Sequence, residues 1–130
     1  MRDLTNIRIL VVDDHAIWRS FLIAHLERSG LQVIAVAYDG VQAVFQARVV
    51  QPDVIVMDIN LPHLDGIAAA AAIRAAVPSA KIVFVSGIDS EEVRLAALAA
   101  GGHDYVLKSA AGHDLVNAIK RVVGGGDDTA

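Results

Sequence analysis

Short apolar runs recur along the chain at Ile9–Val12, Val33–Val36, Val54–Met57, Ile82–Val85 and Tyr105–Leu107. They are rich in β-branched residues and do not alternate with polar ones, the pattern of strands buried on both faces of a parallel sheet. The segments between them are long enough for helices. The first, from Asp14 to Arg28, stops before Gly30. The second opens at Asp39-Gly40, puts Val41, Val44 and Phe45 on one helical face and stops at Pro52. Asp89-Ser90-Glu91-Glu92 reads as a capping box at the head of an alanine-rich helix that ends at Gly101-Gly102. The last helix carries Leu115, Ile119 and Val122 at helical spacing, with Asp114 near its start and Lys120 and Arg121 near its end, where the helix dipole favours each sign of charge.

This repeated alternation of strand and helix predicts an α/β domain with crossover connections. Five such units predict a flavodoxin-like, doubly wound five-stranded parallel sheet in the order 2-1-3-4-5, with five helices. One domain is expected over residues 7–124. The glycine-rich residues 125–130 are expected to form a flexible tail or the start of a linker to an effector domain outside this chain.

Composition narrows the chemistry. With 55% hydrophobic and 5% aromatic residues in 130, the core must be aliphatic and alanine-rich. The absence of cysteine removes disulfides, thiolate zinc sites and thiol nucleophiles together. A formal charge of −4 argues against electrostatic nucleic-acid binding by this domain. The start has no secretory signal pattern, and no apolar run approaches the roughly 20 residues that span a bilayer. The expectation is a cytoplasmic protein that does not bind membranes.

In open α/β sheets, ligands bind beyond the carboxyl ends of the strands, where the strand order reverses. The first strand ends in Asp13 and Asp14, the third in Asp58, the fourth in Ser86 and the fifth in Lys108. If strands one and three are neighbours, three carboxylates converge with a hydroxyl and an ammonium. Such carboxylates repel one another and stay ionised only beside a compensating cation. All-oxygen coordination suits Mg²⁺, which takes one or two carboxylates plus a phosphate oxygen. The metal and Lys108 would offset charge on an incoming phosphoryl group, leaving one carboxylate as nucleophile.

These residues resemble a family. Val11-Val12-Asp13-Asp14-His15, Val56-Met57-Asp58-Ile59-Asn60-Leu61-Pro62-His63-Leu64-Asp65-Gly66, Val85-Ser86-Gly87 and Tyr105-Val106-Leu107-Lys108-Ser109 together resemble the receiver domain of two-component response regulators, from about Arg8 to Val123. Asp-Asp-His and Leu-Lys-Ser are most similar to the NarL/FixJ (LuxR-type) subgroup, whose members usually continue into a helix-turn-helix DNA-binding domain. The resemblance implies a phosphorylation-activated switch that controls transcription through such a domain, or acts by partner binding as a stand-alone receiver. It implies that Asp58 accepts a phosphoryl group from a sensor histidine kinase or phosphotransfer protein. Asp14, Asp58, the backbone carbonyl of Asn60 and, through water, Asp13 would hold Mg²⁺. Lys108 and Ser86 would contact the phosphoryl oxygens, and Ser86 and Tyr105 would switch. Activity would be limited to self-phosphorylation from a donor and slow autodephosphorylation. Glu91, Arg94 and Leu98 share one side of helix four, which the resemblance places beside Tyr105 as an output face, with a homodimer as one outcome of phosphorylation.

Three positions depart from the family pattern: Ser86 stands where threonine is more frequent, Gly102 where alanine is usual, and Ser109 where proline often follows the lysine. Two other function classes share part of the pattern. A haloacid-dehalogenase-type phosphohydrolase also forms an aspartyl phosphate, but Asp58-Ile59-Asn60 lacks its second carboxylate. A flavodoxin-like mononucleotide binder would carry a hydroxyl- or glycine-rich loop where Asp13 and Asp14 stand. His15 is expected to open helix one. His25, His63, His103 and His113 lack zinc spacing and read as surface or packing residues. Trp18, with Leu22 and Leu26, reads as a packed helical stripe, and Gly66 as the residue that permits the turn into helix three.

Overall fold

All five strands form in the computed structural model, which describes residues 6–124. They are β1 (Arg8–Val12), β2 (Gln32–Ala37), β3 (Val54–Met57), β4 (Lys81–Ser86) and β5 (Asp104–Leu107). They pair in parallel as one sheet in the order β2-β1-β3-β4-β5, as expected. The helices between and after them are α1 (Ala16–Arg28), α2 (Gly40–Val50), α3 (Gly66–Ala76), α4 (Glu91–Ala99) and α5 (Ala111–Gly124). The expected tail over residues 125–130 lies outside the described residues. Among those described, no helix is long and apolar enough to cross a membrane.

Strand alternation divides the core into two layers. Leu10, Val12, Ile55, Met57, Ile82 and Phe84 face one side, where Ala43, Ala47, Ala69, Ala70, Ile73 and Ala97 of α2, α3 and α4 cover them. Ile9, Val11, Val54, Val56, Val83 and Val85 face the other, under Leu22 and Leu26 of α1 and Leu115 and Ile119 of α5. Each fully buried Leu or Ile contributes about 1.5 to 3 kcal/mol. Small alanines on α2, α3 and α4 let those helices lie close to the sheet. Full burial holds for β3 and nearly so for β1 and β4, whereas β2 and β5 remain partly exposed. Strand order is the reason: the first three lie inside the sheet and the other two are its edges. β2 also carries a register shift against β1, pairing Val33 with Ile9 but Ala35 with Leu10.

Two helix starts differ in detail from expectation. α1 begins at Ala16, not Asp14, because the Asp13 carboxylate takes the His15 N–H at 2.8 Å and holds the intervening residues in a turn. His15 does open the helix, its Nδ1 accepting from the Trp18 N–H. α4 is capped by Ser90, whose Oγ accepts from the Val93 N–H. Val93 occupies the third helical position and has no side-chain acceptor to return the bond, so the box does not close. Glu91 instead pairs with Arg94 through two hydrogen bonds, at 2.7 and 2.8 Å.

Gly66 and Gly102 are required by close approach. A Cβ on Gly66 would lie 2.2 Å from the Asp58 carbonyl oxygen, and one on Gly102 would lie 2.6 Å from the Phe84 ring. Room for Asp58 and its loop, more than turn conformation, is what Gly66 provides. At Gly102 the bulk of Phe84 accounts for the absence of alanine.

Candidate functional site

The carboxyl ends of β1 and β3 adjoin, and the backbone binds them past the last ladder pair. Asp13 N–H donates to the Ala37 carbonyl at 3.1 Å and Asp58 N–H to the Val12 carbonyl at 3.1 Å. This brings Asp13, Asp14 and Asp58 together, with one carboxylate oxygen of each within 4.8 Å of the others. Asp13 and Asp58 are buried and Asp14 is exposed, so the cluster opens to solvent on one side.

Each buried carboxylate uses one oxygen to hold its own loop. Asp13 Oδ1 accepts from His15 N–H, and Asp58 Oδ1 accepts from the N–H groups of Ile59 at 2.7 Å and Asn60 at 3.3 Å. The other oxygens turn towards Lys108. Its Nζ donates to Asp58 Oδ2 at 2.9 Å and lies 3.4 Å from Asp13 Oδ2, which takes no hydrogen bond. Burial raises the Asp13 carboxyl above its ordinary value, outweighing the His15 N–H and the Lys108 charge, with the nearby Asp58 adding to the rise. Burial alone would lower the Lys108 ammonium. Its hydrogen bond to Asp58 and the charges of both aspartates reverse this and hold it above the usual lysine value.

The donor set fits Mg²⁺. It is all oxygen, and it includes a buried carboxylate oxygen without a hydrogen bond, which a cation would satisfy. Asn60 is exposed at the rim. Ser86 is fully buried at the end of β4, where its Oγ accepts from the Ile88 N–H at 3.1 Å. Tyr105 reaches the same loop: its hydroxyl donates to the Ile88 carbonyl at 2.7 Å while its ring leans on Phe84. One short loop thus joins the expected hydroxyl to the expected aromatic switch. The space beside Gly87 is open.

The Glu91–Arg94 pair lines a groove between α4, β5 and α5, with Tyr105, Asp104 and Arg121 on its other walls. Leu98, further along α4, is half-buried and does not line that groove, whereas Leu95 is 53% exposed. Leu95 was legible as the residue four after Glu91 on the same helical face.

Two residues near the acids escape a reading confined to strand ends. Arg19 on α1 donates to the Asp13 carbonyl at 2.9 Å and lays its guanidinium 4.4 Å from the Tyr38 ring centre. Trp18 has Lys108 Nζ 5.4 Å over its ring. Helical spacing put Arg19 one turn from the acids, but only the fold shows where its side chain ends. His103 is a packing residue, as expected: its Nδ1 accepts from the Ile82 N–H at 3.1 Å. Burial, with Arg74 and Lys81 nearby, lowers it to about 4.

Comparison with known proteins gives one consistent result. Residues 9–120 match the response regulator receiver domain. The chain is 33% identical over 116 residues to the chemotaxis protein CheY of Bacillus subtilis, covering 89% of this chain and 97% of that one. It is 41% identical over 107 residues to a protein-glutamate methylesterase/protein-glutamine glutaminase of Geobacter metallireducens. That match covers 80% of this chain but 30% of the relative, so it leaves most of the larger protein unmatched. Among solved structures, a LuxR-family two-component response regulator from Aurantimonas sp. SI85-9A1 superposes with a TM-score of 0.87 at 37% identity, covering 91% of this chain and 85% of that one.

Proposed function

Because this chain belongs to the response regulator receiver family, we propose that it is a phosphorylation-activated switch in which Asp58 accepts a phosphoryl group from a phosphohistidine of a sensor kinase or phosphotransfer protein. The observation that carries this reading is the arrangement at Asp58. One carboxylate oxygen is tied to backbone N–H groups while the other faces the Lys108 ammonium beside two more carboxylates.

Asp58 Oδ2 attacks phosphorus, forming an O–P bond as the N–P bond to the donor imidazole breaks, and the imidazole leaves with the electron pair. Lys108 transfers its contact from the carboxylate to the phosphoryl oxygens and offsets their charge. Asp14, Asp58 and the Asn60 carbonyl would hold Mg²⁺ directly, with Asp13 acting through water. Bound there, the ion would offset charge on the transferring group. Water entering from the open side of the cluster hydrolyses the aspartyl phosphate and returns the site to its unmodified state.

The new group adds about 1.5 to 2 negative charges at pH 7. Its oxygens accept from the Ser86 O–H and draw towards them the Oγ that now accepts from the Ile88 N–H, while the Ile88 carbonyl holds Tyr105. Drawing Ser86 inward therefore frees Tyr105 to rotate and reshapes the groove lined by Glu91 and Arg94, on the helix that also carries Leu98. The output read from that face is self-association, or transcription through a DNA-binding domain outside this chain, in the cytoplasm.

Incubation with Mg²⁺ and acetyl phosphate tests the acceptor. Intact-mass measurement should show one added phosphoryl group, lost in Asp58→Asn and on chelation of Mg²⁺. Persistence of the group in Asp58→Asn would remove Asp58 from its role. An unchanged sedimentation coefficient on beryllofluoride treatment would remove self-association from the output.

A further inference from the structure

We propose that Trp18 is a positioning residue for Lys108, its indole face forming the third wall of a cage whose other two walls are Asp58 and Asp13. The Lys108 ammonium lies 2.9 Å from Asp58 Oδ2, 3.4 Å from Asp13 Oδ2 and 5.4 Å from the centre of the Trp18 ring. That last distance is within the range of a cation–π contact, and indole has the strongest such face among the aromatic side chains.

The indole is also fixed in place. Trp18 stacks on Phe21 with ring centres 4.9 Å apart, and Phe21 stacks on His25 at 5.8 Å, so a ladder of rings along α1 holds it. Packing alone does not explain a tryptophan here. The Trp18 Nε1–H is buried without a hydrogen-bond partner, a penalty that a leucine filling the same stripe would avoid. What tryptophan supplies and leucine cannot is a negative ring face beside the ammonium. Because a ring face does not take a proton or coordinate a metal, it restrains Lys108 without competing with the carboxylates for either. The ammonium is then kept over the site as its partners change from carboxylate to phosphoryl oxygens.

This inference rests on the phosphoryl-acceptor reading of Asp58, and its test separates the two. Trp18 is the single tryptophan of the chain, so metabolic incorporation of mono-, di-, tri- and tetrafluorotryptophan alters only this ring while nearly preserving its shape. Fluorination progressively weakens the ring's attraction for a cation. The rate of Asp58 modification by acetyl phosphate should fall stepwise along the series, by about fivefold at its end. A second measurement needs neither phosphoryl donor nor metal. In the unmodified protein, the methylene protons next to the Lys108 ammonium should be shifted upfield by the ring current and return to free-lysine values in Trp18→Leu. A flat or rising rate along the series, with Asp58 still modified, overturns the inference and leaves the acceptor reading intact. Absence of the upfield shift in the native protein overturns it as well. Failure of Asp58 to be modified at all overturns the acceptor reading, and the proton shift then decides the Trp18–Lys108 contact by itself.

Discussion

The two ends of the sheet use polar side chains in opposite ways. At the amino end, side chains complete the backbone. Arg8 donates to the carbonyls of Val50 and Gln51, closing the end of α2, and the Asp53 carboxylate takes the Arg8 N–H. Arg74 likewise donates to the carbonyls of Pro78 and Gly101, and His103 accepts from the Ile82 N–H. At the carboxyl end, Asp13 and Asp58 each tie one oxygen to the backbone and hold the other free of it, against a shared lysine. The first arrangement removes orphaned helix and strand ends. The second concentrates like charges in a buried place, which opposes folding unless a cation is present. Polar residues at one end hold the chain together, and at the other they face one another around a lysine.

Substitutions at the two ends should therefore separate stability from function. The largest stability effect is expected for Arg8→Ala, which strips two charge-assisted bonds from the end of α2. It should cost about 2 kcal/mol in urea unfolding while leaving the rate of Asp58 modification unchanged. A parallel loss of modification would show that the two ends are coupled.

Asp13→Asn should do the reverse. A carboxyl whose folded pKa lies above its unfolded value favours folding only at low pH, and that contribution is lost as pH rises through the folded pKa. At pH 7 with a metal chelator, the Asp13 charge therefore opposes folding, because burial has raised its pKa. Asparagine keeps the oxygen that accepts from His15 and should raise stability under chelation. The rise in melting temperature that Mg²⁺ gives the native protein should shrink in the variant. Destabilisation under chelation would break the comparison.

The smallest effect belongs to His103. Its folded pKa of about 4 lies below the ordinary 6.5, so its contribution is complete above pH 6.5 and is lost as pH falls towards 4. His103→Gln should flatten the stability slope between those values, by less than about 1 kcal/mol because the ring is only partly buried and solvent screens it. Identical slopes in the two proteins would mean that its ring does not titrate with folding.

Local pattern made much of the fold legible. Aliphatic runs, glycine stops and acidic helix starts depend on neighbours a few residues away, and they located all five strands and the strand-end acids. The same locality explains what was misplaced. The expected strand order already made β2 and β5 the edges, but their apolar runs did not show that their residues stay partly exposed. Asp89-Ser90-Glu91-Glu92 announced a helix start, but whether Asp89 or Ser90 caps it depends on the backbone turn before α4.

The sequence by itself determined that there is a sheet of this order and that three acids, a hydroxyl and a lysine stand at its strand ends. Tertiary structure alone decided how they meet. Lys108 lies fifty positions from Asp58 and bonds to it, Trp18 reaches that lysine from α1, and Gly66 makes room for the Asp58 backbone. Those contacts join distant parts of the chain, and their distances follow from how the strands pair and the helices pack, which no local pattern encodes.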